Sequence, residues 1–294
     1  MSAWYTSGML TREAAGSAWD TRPVSEIVWR DYLERFHAER AGITETVLRA
    51  SWAEGVTAYE WLGASLEGHA GVVLDVACGS GPMQPVVGSR WVGLDRSRSE
   101  LASARRAQDG VPLVHADAAA LPLRAACADV VVCCMGLMVF PSVGDVLAEL
   151  ARVTRPGAAF GVLLPATRPL TVRDRVRYGH LFATLRIVNV SYPNPAVVRD
   201  PGGVLRDARF VVKDDVRKRF SFRIADEAAA DAFVDSLYLP DVPPPRRFAA
   251  KRVMRRWIGT DLGIPLRRVT ARVGGCADWR VSSGSGRADE QCLE

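Results

Sequence analysis

Two glycines and three aspartates are the residues of this 294-residue sequence whose types and spacing suggest chemistry. Gly79 and Gly81 lie in "LDVACGSG", and Asp75, Asp95 and Asp117 each lie in or directly after an apolar run. Because glycine lacks a Cβ atom, a turn with two glycines lets a large ligand pack against bare main chain. Carboxylates accept hydrogen bonds from hydroxyl and amine groups of such a ligand. The pattern predicts a nucleotide-like ligand at one edge of a sheet.

Five short apolar runs are the predicted strands that position these residues. Their continuous apolarity is typical of strands covered by helices on both faces, which predicts a parallel sheet. Between the fourth and fifth runs, "SVGDVLAELARVT" has apolar residues at helical spacing and stops at Pro156 and Gly157, which completes a βαβ crossover. The runs occupy residues 72–77, 91–95, 111–117, 129–135 and 158–165.

Helices are predicted before and after this core. Ser25 and Thr44 are expected to cap two helices that precede "TAYEWLGASL". Thr171 is expected to cap a helix through "VRDRVRYGHLFATLRI", followed by the loop "SYPNPAVVRDPGG". Because this insert follows the fifth strand, we expect it to cover the open end of the sheet as a lid. A strand, two helices and a closing strand are predicted to follow.

The glycine turn does not fit the dinucleotide-binding fingerprint, because Gln84 stands where GxGxxG requires its third glycine. "LDVACGSG" instead resembles the first motif of class I S-adenosylmethionine-dependent methyltransferases. The resemblance extends through most of the chain, since "WVGLD", "VHADAAALPL" and "ELARVTRPGAAFGVLLP" follow in the family's order. It implies a Rossmann-like methyltransferase fold with S-adenosylmethionine as the cofactor.

The resemblance also implies roles for individual residues. Asp95 matches the carboxylate that accepts both ribose hydroxyls, and Asp117 matches the acceptor of the adenine amine. The end of the fourth strand matches the place where the family holds the methionine ammonium. Pro82 and Pro85 allow at most a short helix after the turn, which departs from the family pattern. The implied cofactor-binding residues are Asp75, Ala77, Cys78, Gly79, Gly81, Asp95, Arg96, Ala116, Asp117, Ala118, Cys133, Cys134 and Met135.

The predicted fold class is α/β, with a seven-stranded, mostly parallel, doubly wound sheet, N-terminal helices and a helical lid insert. We expect one methyltransferase domain over residues 1–275 and a disordered tail over 276–294. Within the domain the expected parts are an N-terminal helical cap (1–65), a cofactor-binding core (66–165), the lid insert (166–208) and C-terminal strands and helices (209–275).

A general base assists methylation of a hydroxyl or a weakly acidic carbon, and histidine titrates in the useful range. His180 on the predicted lid helix is the first candidate, with Tyr178 beside it. His37 on the N-terminal helix is the next. The alternative is that these side chains only pack or face solvent.

Aromatic residues are concentrated in the segment before the glycine turn, which contains five of the eight tryptophans. In the family, the N-terminal helices and the lid close over the methyl acceptor, so some of these rings could clamp a flat or apolar substrate. Packing of helices on the sheet is the alternative for most of them. The predicted substrate contacts are Trp4, Tyr5, Trp19, Trp29 and Tyr32.

The sequence after the fourth strand narrows the class of acceptor. "VCCMGLMV" is apolar and contains neither a "DPPY"-like run nor a Pro-Cys pair, which are used on nucleic-acid bases. No metal site is expected, because His, Asp and Glu do not cluster at ligand spacing. The pattern resembles the small-molecule branch that includes quinone and natural-product methyltransferases. The predicted reaction is methyl transfer to a small apolar or aromatic secondary metabolite, indole-bearing or polyketide-like, with C-, O- and N-methylation all open.

Two other functions stay open. Residues 246–256 carry a basic face that could bind RNA, although the opposite apolar stripe is typical of a packed amphipathic helix. The second open function is that of a module that binds the cofactor without transferring a methyl group. The net charge of +5 reflects 38 basic against 33 acidic residues, which allows an anionic partner but decides nothing by itself. Nucleic acid is not expected as a partner, because a solvated face explains the basic residues of the 246–256 helix. No membrane span or export signal is seen, which predicts a cytoplasmic protein, and a homodimer is left open.

Overall fold

A nine-stranded mixed sheet runs through residues 26–274, the part of the chain that this computed structural model describes. Its spatial order is β2-β1-β8-β9-β7-β6-β3-β4-β5. The strands are β1 (Ser51–Ala53), β2 (Val56–Thr57), β3 (Val73–Val76), β4 (Trp91–Asp95), β5 (Leu113–His115), β6 (Ala128–Cys134), β7 (Thr154–Pro165), β8 (Phe210–Ile224) and β9 (Thr260–Val273).

Eleven helices in the described residues surround the sheet. Two short 3₁₀ helices are also present, at Gly88–Arg90 and Leu137–Val139. The helices are α1 (Glu26–Glu39), α2 (Ile43–Arg49), α3 (Ala58–Ala64), α4 (Gln84–Val87), α5 (Arg98–Ala107), α6 (Val143–Val153), α7 (Val172–Leu185), α8 (Pro195–Arg199), α9 (Pro201–Asp207), α10 (Glu227–Asp235) and α11 (Pro244–Arg255).

The strand order reverses between β3 and β6. The chain passes from β3 to β4 and β5 on one side, then returns to β6 on the other side of β3, and all these pairings are parallel. A reversal of this kind leaves a crevice at the carboxyl ends of the two strands, where ligands of open α/β sheets bind. The prediction of a doubly wound α/β fold is confirmed, and the crevice lies where the glycine turn begins.

The strand count differs from the predicted seven. Within the described residues, β1 and β2 add a short antiparallel hairpin to the edge at β8. Its two-residue turn places Glu54 at φ 53° and Gly55 at φ 83°, the positive angles of a type I′ turn. Because Glu rarely adopts positive φ, Glu54 provides no turn signal, and the sequence pattern predicts a helical segment here instead.

Helices cover both faces of the sheet, as continuous apolar strands require. Alternate residues of each strand point to opposite faces. On one face the sheet packs against α1, α6, α8 and α9. On the other it packs against α3 and α5. A third apolar cluster joins α2, α7, α10 and α11 to the far ends of β8 and β9, which extend beyond the carboxyl end of β7.

A buried ion pair anchors α7, the first helix of the segment predicted as a lid. Asp174 accepts hydrogen bonds from Arg219 Nε on β8 at 2.7 Å and from the N–H of Gly263 on β9 at 2.8 Å. The Thr171 capping box is present as predicted. The loop predicted after α7 instead contains α8 and α9, each of which starts with a proline at a position that favours helix entry.

Two further local expectations can be compared with the structure. The prediction of a short helix after the glycine turn is confirmed by the four-residue α4. The prediction that Thr44 caps α2 is wrong, because the helix begins at Ile43 and Gly42 is the N-cap, at φ 77°. None of the helices in residues 26–274 is long and apolar enough to span a bilayer.

Candidate active site at the carboxyl ends of β3, β4 and β6

The turn after β3 contains the two glycines predicted to approach a ligand. Gly79 and Gly81 have φ of 55° and 81°, in the left-handed region. A Cβ atom on Gly81 would lie 3.2 Å from Oε1 of Gln108, so this glycine is packed inside the protein. Among the described residues, a Cβ atom on Gly79 would come within 4 Å of Oε2 of Glu100 alone, at 3.8 Å. The peptide at Gly79 therefore borders space in which a ligand can lie.

The turns after β3 and β6 touch each other and are both strained. Ala77 and Met135 have φ of 57°, which is unfavourable for residues with a Cβ atom. A Cβ atom on Gly136 would lie 2.6 Å from Cβ of Ala77 and 2.8 Å from Sγ of Cys133. Strained backbone of this kind is concentrated at functional sites. The structure thus brings Ala77, Cys133 and Met135 together at the crevice.

Asp95 ends β4 beside the glycine turn and is only 9% exposed. Its Oδ2 accepts the N–H of Gly79 at 2.9 Å, and its Oδ1 accepts the N–H of Ser97 at 2.7 Å. Burial raises the pKa of this carboxyl, and the two backbone N–H groups and the nearby His37 oppose the rise. Each carboxylate oxygen keeps a second lone pair, so Asp95 can still accept hydrogen bonds from a ligand.

Asp75 lies on β3 and is 1% exposed. Its Oδ2 accepts the indole N–H of Trp91 at 2.9 Å, while its Oδ1 has no hydrogen-bond partner in the described residues. Burial raises its pKa to about 7, although the Trp91 bond opposes the rise. A buried oxygen without a hydrogen-bond partner is unfavourable. A ligand that donates a hydrogen bond, or a bound water, would satisfy Oδ1 of Asp75.

The residues predicted near the adenine lie at the end of β5. Asp117 is exposed, and its Oδ1 accepts the N–H of Ala119 at 3.0 Å in an Asx turn. The N–H of Ala116 donates to the carbonyl of Asp95 at 3.2 Å, and Ala118 is buried. Arg96 is exposed, and its carbonyl contacts Nε2 of His115 at 2.9 Å. These residues therefore follow Asp95 along the same edge of the sheet.

The cysteines at the strand ends are inert. Cys78 and Cys133 are buried and Cys134 is half-buried. Burial, and then the nearby Asp75 carboxylate, raises the pKa of all three thiols. A thiol with a raised pKa is a poor nucleophile at neutral pH. These cysteines therefore line the crevice as apolar groups.

Two glutamates that the sequence patterns did not reveal connect the N-terminal helices to α5 and to the glycine turn. Glu100, on the first turn of α5, is 4% exposed, and its Oε1 lies 2.8 Å from Nδ1 of His37. Its Oε2 accepts the N–H of Gly42 at 2.9 Å. Ser80 of the glycine turn donates its hydroxyl to Glu45 on α2. His37, the second base candidate, thus lies against the crevice.

An aromatic cluster continues from His37. The ring of Tyr238 lies 6.2 Å from that of His37 and 4.8 Å from that of Phe36. Tyr32 and Tyr192 pack edge-on against Tyr238, and Trp29 packs edge-on against Tyr32. The structure thus brings the predicted Trp29 and Tyr32 together, whereas the predicted Trp4, Tyr5 and Trp19 lie outside the described residues. Tyr192 and Tyr238 were missed because only the folded chain brings them to α1.

His180 and Tyr178 lie on α7. His180 is exposed, and its ring lies 6.1 Å from that of Trp257. The hydroxyl of Tyr178 donates to the carbonyl of Gly263 at 3.0 Å. No hydrogen bond or ring contact among the described residues joins either side chain to Asp95, Glu100 or His37.

The electrostatics of the crevice are negative. Asp75, Asp95 and Glu100 are all buried at the carboxyl ends of β3 and β4. In residues 26–274, none of the three forms an ion pair with a lysine or an arginine, and Glu100 alone is paired, with His37. Uncompensated buried carboxylates favour a ligand that carries positive charge and hydrogen-bond donors.

Comparisons with known proteins agree on the family. The family model described as "Methyltransferase domain" matches residues 74–162, which run from β3 to β7. A search of curated proteins finds no match.

Solved structures show the same fold. A putative methyltransferase from Bacillus halodurans has a TM-score of 0.50 and 16% identity, and the alignment covers 74% of this chain and 99% of that one. The YcgJ protein from Bacillus subtilis has a TM-score of 0.51 and 13% identity, with 74% and 98% covered. The family match and the sequence motifs identify residues 74–162 as a class I, S-adenosylmethionine-dependent methyltransferase domain, and the two solved structures share its fold.

Proposed function

We propose that the protein transfers a methyl group from S-adenosylmethionine to a small apolar or aromatic acceptor. The observation that carries this proposal is the accessible peptide at Gly79 beside the buried Asp95. S-adenosylmethionine supplies an electrophilic methyl group on a sulfonium sulfur. The protein's part is to hold the acceptor in line, exclude water and take up the proton that the acceptor loses.

The residues of the crevice fit the cofactor. A diol is recognised by a carboxylate, and Asp95 has free lone pairs at the tip of β4. A cation is favoured by the buried carboxylates, which have no lysine or arginine partner in the described chain. The unpartnered Oδ1 of Asp75 offers an acceptor to an ammonium or to a bridging water. We propose that Gly79, Asp75, Asp95 and the strained turn at Met135 hold the cofactor, with Asp117 and Ala118 at its adenine end.

Support for an aromatic acceptor comes from the cluster around Tyr238. Tyr32, Phe36 and Tyr192 pack against this side chain, and Trp29 packs against Tyr32. Edge-to-face stacking is the geometry in which such rings hold another aromatic molecule. The apolar turn after β6 adjoins them through Met138, whose carbonyl accepts the N–H of Asn194. We propose that residues 26–65 and 166–208 cover an aromatic secondary metabolite, indole-bearing or polyketide-like, between them.

Among the three candidate bases we favour His37. It contacts the crevice through Glu100 and the aromatic cluster through Tyr238, whereas His180 is exposed beside Trp257. A base must lie within hydrogen-bond reach of the group that it deprotonates, and only His37 lies between the two regions.

The proposal is tested with purified protein and S-adenosylmethionine labelled in its methyl group. A panel of phenols, indoles and polyketide-like aromatics is offered beside RNA and protein fractions. We expect label in an aromatic compound. Label in RNA or protein alone would contradict the acceptor class, and failure to bind S-adenosylmethionine would contradict the function itself.

RNA methylation is the less favoured function, because α10 neutralises much of the basic face of α11. Lys251 pairs with Asp235 at 2.6 Å, and Arg255 pairs with Asp231 at 2.8 Å. Arg247 donates to the carbonyls of Leu239 and Val242. Three arginines of the face have no such partner in the described residues: Arg246, Arg252 and Arg256.

A further inference from the structure

Glu100 connects the N-terminal helices to the first turn of α5 in an unusual way for its position. It is the third residue of α5, and its N–H donates to the side chain of the N-cap Ser97 at 3.3 Å. A glutamate at this position usually turns back to the N–H of the N-cap residue. Here that N–H donates to Asp95 instead, at 2.7 Å. The Glu100 carboxylate is therefore released to reach His37 and Gly42.

The contact with Glu100 determines which nitrogen of His37 carries the proton. A neutral imidazole has one N–H donor and one bare nitrogen, and an ionised carboxylate can only accept. At 2.8 Å, the bond between Nδ1 and Oε1 of Glu100 requires the proton on Nδ1. Nε2 is then the bare nitrogen, and it faces the hydroxyl of Tyr238 at 3.5 Å.

Tyr238 is suited to be the neutral partner of that nitrogen. The side chain is buried among Tyr32, Phe36 and Tyr192, and this burial raises its pKa, so it stays a phenol that can donate. The 3.5 Å separation is long for a hydrogen bond, so the phenol competes only weakly for Nε2.

Resting on the proposed function, we infer that Glu100 is a positioning residue that holds His37 with Nε2 bare and turned toward Tyr238, where Nε2 takes the proton lost by the acceptor. The O–H, N–H or acidic C–H group loses one proton, and its electron pair forms the bond to the methyl carbon. The proton ends on Nε2, and the resulting imidazolium lies against the Glu100 carboxylate, which stabilises it.

The test is the protonation pattern of the imidazole of His37, measured by NMR on the full chain labelled with ¹⁵N-histidine. Spectra are recorded at a pH where the ring is neutral, and loss of one signal set in His37→Gln assigns it among the four histidines. We expect the wild-type proton on Nδ1. In Glu100→Met, which keeps the length of the side chain but cannot accept, the Nδ1–H pattern is lost and the proton moves to Nε2.

Glu149→Met is the matched control. Glu149 also accepts a backbone N–H and a side-chain donor, from Leu121 and Arg152, but it does not contact a histidine. This variant should leave the His37 signals unchanged.

A wild-type proton on Nε2 would overturn the inference, and this result does not require any variant to fold. An unchanged Nδ1–H pattern in folded Glu100→Met would overturn it as well. A purely structural role of Glu100 would not move the proton between the two nitrogens. The proposed function fails separately, if the wild-type protein does not bind S-adenosylmethionine.

A second readout follows once an acceptor is known. Loss of an oriented general base lowers kcat by about 100-fold or more. In Glu100→Met we expect that fall in kcat with little change in KM for the acceptor. A rise in KM with kcat unchanged would contradict a role in proton uptake.

Discussion

Gly79 donates its N–H to Oδ2 of Asp95 at 2.9 Å, so the turn after β3 is tied to the tip of β4. A ligand that packs on the peptide of Gly79 must therefore lie beside the Asp95 carboxylate. Because Asp95 is buried, hydrogen bonds that it accepts from a ligand are stronger than they would be in water. We therefore propose that Gly79 and Asp95 bind the cofactor as one unit, and each can be tested against a matched residue elsewhere.

Replacing Asp95 by alanine should reduce the affinity for S-adenosylhomocysteine by roughly 100-fold, because two hydrogen bonds to a charged group are lost. Calorimetric titration of the folded variant measures this loss. Asp95→Asn keeps one acceptor and should lose less. Asp207→Ala, at an exposed aspartate that ends α9, serves as the control and should bind as wild type does. Equal affinity of wild type and Asp95→Ala would rule out the proposed cofactor site.

Gly79→Ala should weaken cofactor binding more than it weakens the fold. The new methyl group enters the space beside Glu100, and alanine at positive φ costs about 1–2 kcal/mol of stability. We expect affinity for S-adenosylhomocysteine to fall by about tenfold or more, which is ~1.4 kcal/mol. Gly110→Ala is the matched control, with φ of 68° and nothing within 4 Å of its Cβ position in the described chain. It should lose stability but keep the affinity, and parallel effects in both variants would contradict a ligand at Gly79.

The parts of the site that could be predicted from the sequence are those that depend on residues close together along the chain. The glycine turn, Asp95 and the short α4 each follow from a strand end, a φ requirement or a proline nearby. The β1–β2 hairpin was missed because Glu54 gives no turn signal at its positive φ. The pairing of His37 with Glu100 spans 63 residues, and that of His37 with Tyr238 spans 201, so no local pattern could reveal either.

The sequence ranks His180 first among the base candidates because its helix follows the fifth strand, where a lid is expected. This ranking takes no account of packing between residues that are distant in the chain. Whether a histidine on that helix faces the crevice depends on which side of α7 packs on β8 and β9. Asp174 determines that side through Arg219 and Gly263, and these partners are 45 and 89 residues away.

Asp75 should make the stability of the protein fall as the pH rises from 5 to 8. Its folded-state pKa is raised to about 7, so between pH 5 and 7 the unfolded chain has released a proton that the folded chain still holds, and above pH 7 the effect levels off. Asp75→Asn keeps the acceptor for Trp91 and removes the titration. The advantage of the variant over wild type should grow by roughly 3 kcal/mol between pH 5 and pH 8.

Urea unfolding at the two pH values measures this difference. Asp109→Asn, at an exposed aspartate just after α5, should show no such change. A constant difference between Asp75→Asn and wild type across the range would mean that Asp75 is ionised in the folded protein.

Replacing Asp174 should weaken the packing of α7 on β8 and β9 and lower the stability of the protein. Burial would raise the pKa of this carboxyl, but hydrogen bonds from Arg219, Thr171 and Gly263 outweigh that effect and hold the pKa well below its usual range. Its contribution to stability is therefore present above pH ~4, the unfolded value, and is lost as the pH falls below it. Removing one partner of a buried ion pair costs about 3–5 kcal/mol, so Asp174→Ala should lower the free energy of unfolding at pH 7 by that amount.

The control for Asp174 is Asp226, which caps α10 by accepting the N–H of Ala229 at 2.8 Å and makes no ion pair in the described residues. Loss of such a cap costs about 1 kcal/mol. Chemical unfolding at pH 7 should therefore separate the two alanine variants by at least ~2 kcal/mol. At a pH below 3 the penalty of Asp174→Ala should shrink, because the unfolded wild-type chain binds a proton on this carboxyl that the folded chain does not hold. Similar losses in both variants at pH 7 would show that the ion pair with Arg219 adds nothing beyond helix capping.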